Sequence, residues 1–304
     1  MRIASFSSGG PRSVGVVDGD HLRALASTAA DEQSLRAIFE ANSGADHGDG
    51  LARAFEAVDT EAIPLREIEF LPVVPDPQAI WCAALTFDSH VTEAAGRLAP
   101  TYPLFFLRVA ASQTAHEQPL VLPAVSEQFD YEGELAVVIG RTARHVPVAD
   151  ALDYVAGYSC YNEGSVRDWQ RHTPQITPGK NFFHSGSFGP WLVTPDEFGD
   201  PYSHSITTRV NGEVRQQESI DALLFRIEYL IHYLSTICPL QPGDVIVCGT
   251  PGGVGMRMDP PVFLREGDEV TVEIDGIGTL RNSVVQERPN STPTWRSAES
   301  EVMA

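Results

Sequence analysis

From Ala79 to about residue 287, short apolar runs follow one another too closely for helices to fit between most of them. Ala79–Leu85, Leu104–Leu107, Leu120–Leu122, Glu134–Ile139, Ala156–Cys160, Trp191–Thr194, Ile206–Val210, Val245–Cys248, Val270–Ile274 and Gly278–Val285 read as strands, with Asp275-Gly276 a hairpin signal between the last two. Repeated βαβ units need a helix after nearly every strand, so a doubly wound parallel sheet does not fit this spacing. The expected fold is α+β, dominated by a mixed sheet or roll. One helix is clear. Ser219 is a candidate N-cap; Ile220, Leu223, Leu224, Ile227, Leu230, Ile231, Leu234 and Ile237 recur at helical spacing; Pro239 closes the run.

The organisation expected along the chain is threefold. Residues 1–72 form a small N-terminal α+β subdomain, with strands at Arg2–Phe6 and Val14–Val17 and Ala-rich stretches at Ser34–Ala41 and Leu51–Val58. Pro72, Pro75 and Pro77 make a stiff boundary, residues 73–288 form the main domain, and residues 289–304 a polar tail. Charge excludes some partners. With 21 Lys and Arg against 41 Asp and Glu, the formal charge is −20, which repels phosphate backbones and anionic lipid. Neither nucleic acid nor a membrane is expected as a partner, and a small anionic substrate needs a local cation. No apolar run approaches the length of a membrane span, and the opening MRIASFSSGG lacks the apolar stretch of a secretory signal. Cys82, Cys160, Cys238 and Cys248 form no CxxC, which suits reduced thiols in the cytoplasm.

Carboxylates gather in two places. In the run Phe129 to Gly140, Asp130, Glu132 and Glu134 share one face of a strand by its period of two, and they repel one another unless neutralised. Such a group can be an exposed acidic strand end or an oxygen-ligand site for a hard dication such as Mg²⁺, Mn²⁺ or Ca²⁺. A second apolar strand ends in Asn162-Glu163 and supplies another carboxylate. Upstream, His90 and Glu93 are i and i+3 neighbours on a helix that Thr86 or Asp88 can cap and that is expected to run to about Arg97. A carboxylate beside an imidazole orients it and raises its basicity, the arrangement of a general base; the alternative is a solvated surface pair.

YEGELAVVIG, GYSCYNEGSVRDWQ, Lys180, GPW at 189–191, VNGE and RQ at 210–216, PGDVIVCGTPGGVG and EGDEV…IDGIGTLRN occur in an order that resembles the fumarylacetoacetate hydrolase superfamily over roughly residues 73–287. The resemblance implies a mixed β-roll with peripheral helices, usually in a homodimer. It implies that Glu132 and Glu134 are metal ligands and that Glu163, standing where most members have Asp, is the third. It implies catalytic roles for His90 and Glu93, where Thr86 and Phe87 depart from the family's usual Asn-Tyr, and for Lys180, which follows a Pro/Gly-bearing loop at 171–179. Gln170, Thr250 and Arg108, the last in place of a frequent Lys, are implied as substrate contacts, with the Arg108 fork gripping a substrate carboxylate. His116, His172 and His184 are expected to be solvated or packing residues.

The activity expected is divalent-metal-dependent hydrolysis of a carbon–carbon bond in a small 2,4-dioxo acid of the acylpyruvate or fumarylpyruvate type, as in aromatic catabolism. There the cation chelates the anionic 2-oxo acid and His90 activates water. The rivals on the same metal site are decarboxylation, and isomerisation or hydration of a 2-hydroxymuconate-type diacid. A catalytically silent binding protein is a further alternative.

Overall fold

A computed structural model describes residues 1–25, 33–42, 55, 58–93 and 98–288. The polar tail, nearly all of Leu51–Val58, and residues 94–97 of the expected helix after Asp88 lie outside them. The strands of the first part are β1 (Arg2–Ser7), β2 (Ser13–Asp18), β3 (His21–Leu25), β4 (Val58–Pro64) and β5 (Glu69–Phe70), with helix α1 (Leu35–Ala41) between β3 and β4. Next come β6 (Ile80–Ala84), helix α2 (Asp88–Glu93), β7 (Leu104–Arg108), β8 (Gln113–Thr114), β9 (Leu120–Leu122), β10 (Phe129–Asp130), β11 (Gly133–Ile139), β12 (Val155–Asn162) and β13 (Ser165–Val166). Short helices α3 (Arg167–Gln170) and α4 (Thr177–Lys180) precede β14 (Gly186–Val193), and α5 (Pro195–Phe198) follows it. The chain continues through β15 (Ser205–Val210), β16 (Glu213–Ser219), helix α6 (Ile227–Ile237), β17 (Val245–Val247), β18 (Glu269–Ile274) and β19 (Gly278–Gln286).

The architecture is the expected sheet-dominated α+β fold. A large mixed sheet runs β4-β3-β2-β1-β14-β12-β11-β17-β6-β7, with β5 on β1 and β8 on β14. A five-stranded sheet, β16-β15-β18-β19-β9, packs its inner strands over β11, β12 and β14. The β1–β14 pairing, Arg2 with Val193 and Ile3 with Leu192, joins the N-terminal strands to the same sheet as the rest of the chain.

β11 explains why the strand pattern lacks polar alternation. All seven of its residues are buried. Leu135, Val137 and Ile139 join one core with Ile206, Val272 and Leu280 of the five-stranded sheet and with Ile227, Leu230, Ile231 and Leu234 of α6. Ala136 and Val138 point the other way, toward Val14, Phe39, Ile80, Cys82 and Val247. Full burial of each Val, Leu or Ile stabilises by about 1.5–3 kcal/mol, which offsets the cost of carrying Glu134 on the same strand into the interior.

The expected helix at 220–237 is shorter. Ser219 Oγ does accept from Asp221 N–H, but the turn it caps is a single 3₁₀ turn, Ile220–Ala222. Leu223 is then extended and bridges Phe87, and Leu224 N–H donates to Thr86 O at 2.7 Å. The helix begins anew at Ile227, whose N–H donates to Tyr202 Oη at 2.9 Å. Ile220 and Leu223 are buried all the same, so the apolar spacing is satisfied by two pieces joined by a tether to the start of α2. The Asp275-Gly276 turn does join β18 to β19, with Gly276 at φ +81° and Ile277 N–H returning to Ile274 O. All four cysteines are free, and among the described residues no helix is long and apolar enough to cross a membrane.

Candidate active site

Glu132, Glu134 and Glu163 are brought together by the antiparallel pairing of β11 with β12, in which Gly133 faces Asn162. Glu163 N–H donates to Glu132 O at 2.7 Å, and Glu132 N–H donates to Asn162 Oδ1 at 3.0 Å, so each carboxylate is fixed by the other's strand. Gly164 must follow, because a Cβ there would stand 1.8 Å from Ser185 O. All three side chains are buried, and one oxygen from each lies within 4.8 Å of the others.

Two cations hold part of this charge. Lys180, at the end of α4, donates to Glu132 Oε2 and, at 2.9 Å, to Glu163 Oε2, with its ammonium 5.1 Å from the centre of the Phe106 ring. Arg167 bridges Asp130 and Glu132, each at 2.8 Å. Burial opposes ionisation of Glu132, but Arg167 and Lys180 outweigh it and hold its carboxyl well below the usual range. Burial likewise opposes the charge on Lys180, and Glu132 and Glu163 outweigh it, so the amine is pushed up. Glu134 has no such help. Burial, then Glu163 and Glu132, push its carboxyl well above its ordinary range, and its Oε2 accepts only the Gly249 N–H, at 2.5 Å, among the hydrogen bonds of the described residues.

His90 and Glu93 lie on α2, which follows β6. His90 Nδ1 is 2.7 Å from Glu93 Oε1, and Glu93 Oε2 accepts the Gly253 N–H at 2.7 Å. The dyad therefore rests on the Gly-rich loop after β17, and Ser89 Oγ accepts from Gly252 N–H at 3.0 Å beside it. Thr86 does not cap the helix: it is fully buried and donates to Cys248 O at 2.6 Å. His90, the three glutamates, Lys180, Gln170 and Thr250 all border one cleft of about 980 Å³, which residues 171–177 also line. Thr250 Oγ1 donates to Gly133 O and accepts from Gln216 Nε2, while Gln170 Oε1 accepts from Arg167 Nη1.

Arg108 is placed differently from its expected role as a substrate clamp. It is 3% exposed and absent from the cleft wall. Its fork donates to Ser112 Oγ at 3.2 Å, Gly164 O at 3.2 Å and Ser185 Oγ at 2.8 Å, with Glu163 Oε1 4.0 Å away. These contacts commit three of its donors to the buried framework that carries Glu163 and Gly164. Of the other histidines, His172 stands at the cleft exposed, His184 stacks on Phe183, and His116 packs edge-on against Phe70, its pKa lowered to about 4 by burial and Arg281.

Two residues of the site, Arg167 and Gln216, were not singled out from the sequence, and a third, Asp130, was grouped with the glutamates but sits apart from them. Asp130 carries no share in the close glutamate group; it accepts from Arg167 and from the Gly255 and Met256 N–H groups. Arg167 and Gln216 stood in the sequence only as letters inside motif runs; in the structure both are buried, and Gln216 joins Gly133 to Thr250 and Pro251. The donor set fits a hard dication. Three buried carboxylates converge, one of them has no cation of its own, and Glu163 Oε1 is buried without a hydrogen-bond donor.

Three comparisons bear on this geometry. The family model described as fumarylacetoacetate (FAA) hydrolase C-terminal matches residues 79–285. Oxaloacetate tautomerase Fahd2a, mitochondrial, of Rattus norvegicus is 39% identical over 236 residues, spanning 77% of this chain and 75% of that protein. Two solved structures are alike in fold. The fumarylacetoacetate hydrolase of psychrophilic Exiguobacterium antarcticum has 32% identity and a TM-score of 0.81, covering 94% of this chain and 100% of that one. The maleylpyruvate hydrolase of Sphingobium sp. SYK-6, in complex with manganese (II) ion and pyruvate, has 30% identity and a TM-score of 0.77, covering 95% and 100%.

Proposed function

This chain belongs to the fumarylacetoacetate hydrolase family, and we propose that it is a divalent-cation-dependent enzyme that interconverts the keto and enol forms of a small 2-oxo acid. The observation that carries the reading is the position of the His90–Glu93 pair across the same cleft from the buried Glu132, Glu134, Glu163 and Lys180. Glu132, Glu134 and Glu163 would hold Mg²⁺ or Mn²⁺, which when bound supplies Lewis-acid charge to the oxygens of the oxo acid. Glu93 accepts the Nδ1 proton of His90 and so keeps the Nε2 lone pair available. That nitrogen takes a proton from the carbon next to the carbonyl and delivers it to the enolate oxygen, or carries it the other way in the reverse direction, while Lys180 adds positive charge beside the developing enolate. Thr250, fixed by Gly133 and Gln216, lines the wall. The likeness to oxaloacetate tautomerase supports the choice of reaction, since tautomerisation needs a base and an enolate-stabilising floor but no attacking water.

Carbon–carbon hydrolysis of an acylpyruvate is the second reading. It is favoured by the size of the cleft, about 980 Å³, at the upper end for small ligands, and by the likeness to maleylpyruvate hydrolase. His90→Ala separates the two. Proton exchange at C3 in D₂O, followed by NMR, reads enolisation, and product analysis reads cleavage. Tautomerase action through His90 predicts loss of exchange on the order of 10²–10⁴-fold. Exchange that survives in His90→Ala while cleavage is lost would reinstate the hydrolase. The same reading carries a homodimer, supported by Tyr102, Leu104, Leu107 and Val109, which stand exposed on and beside the edge strand β7. Sedimentation at 33.1 kDa alone would remove it.

A further inference from the structure

The basic side chains around the cleft fall into two groups. Arg167 and Lys180 are committed to Asp130, Glu132 and Glu163 on its floor, and His90 to Glu93. Arg171, His172 and Arg257 border the rim. Arg171 donates to Gln128 Oε1 at 2.7 Å and His172 stacks against Trp169. Arg257 is exposed, and among the described residues its side chain takes part in no ion pair or hydrogen bond, although 41 carboxylates are present in the chain.

The backbone that carries Arg257 is nonetheless held firmly. Gly255 and Met256 N–H donate to the Asp130 carboxylate at 2.9 and 3.0 Å, Arg257 N–H returns to Val254 O at 3.0 Å, and Val262 N–H to Gly255 O at 3.0 Å. Asp130 is bound by Arg167, which also holds Glu132. A chain of hydrogen-bonded charges thus ties the turn bearing Arg257 to the acidic floor. The result is an uncommitted guanidinium delivered from a fixed turn at the mouth of a cleft whose floor takes the oxo-acid end of a substrate.

We propose that Arg257 is a specificity-determining residue that binds a second carboxylate, remote from the 2-oxo acid group, and so selects dicarboxylic substrates. The inference rests on the tautomerase reading for the orientation of the substrate. It follows from charge as well: a chain of net charge −20 repels a dianion, and only a local cation makes the second carboxylate a gain. The guanidinium fork suits a planar carboxylate better than an ammonium does.

The test compares oxaloacetate with 2-oxobutanoate, a monoacid of similar length, on Mn²⁺-loaded wild type, Arg257→Ala, Arg257→Lys and Arg257→Glu. Binding is read by calorimetry and enolisation by exchange at C3. In Arg257→Ala, KM and Kd for oxaloacetate rise on the order of 10–100-fold, the loss of one charge-assisted contact, while kcat falls far less. The preference for oxaloacetate over 2-oxobutanoate collapses, is partly rescued in Arg257→Lys, and is lowest in Arg257→Glu. A preference unchanged in Arg257→Ala, or an equal loss for both acids, overturns the assignment. If wild type exchanges neither acid, the tautomerase reading fails alone, because the Kd ratio still decides. A diacid preference that vanishes in Arg257→Ala supports the clamp; one that persists, or that wild type lacks, refutes it.

Discussion

Glu134 and Arg108 are opposite cases of a buried charge. Glu134 is ionised only against burial and two like charges, so replacing it with a neutral amide removes a cost from the metal-free fold. Glu134→Gln should raise the metal-free melting temperature at neutral pH by about 1–2 °C, the shift that ~1 kcal/mol gives in a chain of this size. It should also abolish the further rise on adding Mn²⁺. Thermal unfolding with EDTA and with Mn²⁺ checks both, and a Mn²⁺ shift equal to wild type would remove Glu134 from the ligand set. The sign of the pH effect follows from the shifts. Glu134, raised, disfavours the metal-free fold increasingly as pH climbs from the ordinary carboxylate range through its own pKa. Glu132, depressed, contributes stability above the ordinary range that is lost as pH falls. Arg108 serves the fold. Its truncation to Ala strands the Gly164 carbonyl and Ser185 and removes the cation nearest Glu163 Oε1, and should cost about 3–5 kcal/mol by urea unfolding. A mutant that unfolds like wild type but has a raised substrate KM would restore the clamp. The carboxylates were readable because period two and a strand end dictate where they point. A sequence says nothing, however, of whether a guanidinium at the end of a strand or in a turn lies buried behind the floor or open at the mouth, and that is why the burial of Arg108 was not foreseen and Arg257 was passed over.

At the level of elements, the Gly-rich loop after β17 is the joint on which the site turns. It receives Glu134 at Gly249, Glu93 at Gly253 and Asp130 at Gly255 and Met256. Gly253 has φ +103°, and a Cβ there would meet Arg215 O at 2.1 Å. Gly253→Ala should therefore lose activity beyond its loss of stability, because Glu93 is displaced with the loop. Comparing C3 exchange with the fraction folded at the same temperature measures this, and parallel losses would mean the loop is only structural. The string GTPGGVG after PGDVI was more specific than a lone Gly-rich loop, and its glycines are there for contact as much as for φ. Other elements were harder to read. β16 holds Glu, Arg, Gln and Ser around a single exposed Val214, with only Gln216 buried, so it lacks apolar alternation. Its signal was the turn before it, Asn211-Gly212, both at positive φ. The first half of β14 was missed because Gly186, Gly189 and Pro190 read as a loop, whereas neighbours on both sides impose the strand.

Considered whole, the molecule is held together by pairings between distant segments. β6 lies parallel to β17, and β1 pairs with the far end of β14. Removing residues 1–72 would bare that edge of β14 together with Leu192 and Phe188, which pack with Ile3, Leu35 and Phe39. The shortened chain should aggregate, as light scattering would reveal; a dispersed, active product would show that the first 72 residues form a separable unit. The density of strands announced this class of fold, while the joining of the N-terminal strands to β14 was hidden, since nothing local in Arg2–Ser7 specifies a partner some 190 residues away. That separation has a consequence for biosynthesis. β1 pairs with β2 soon after both emerge from the ribosome, and Phe6 and Ser7 on its other edge are taken by β5, but the Arg2–Ile3 end of that edge stays vacant until Val193 has been translated. At ~5–20 residues per second the wait is roughly 10–40 s, and the glutamate floor is incomplete until Gly249 follows. A nascent chain of this protein thus carries an unpaired edge through most of its synthesis, and chaperones have that interval in which to act.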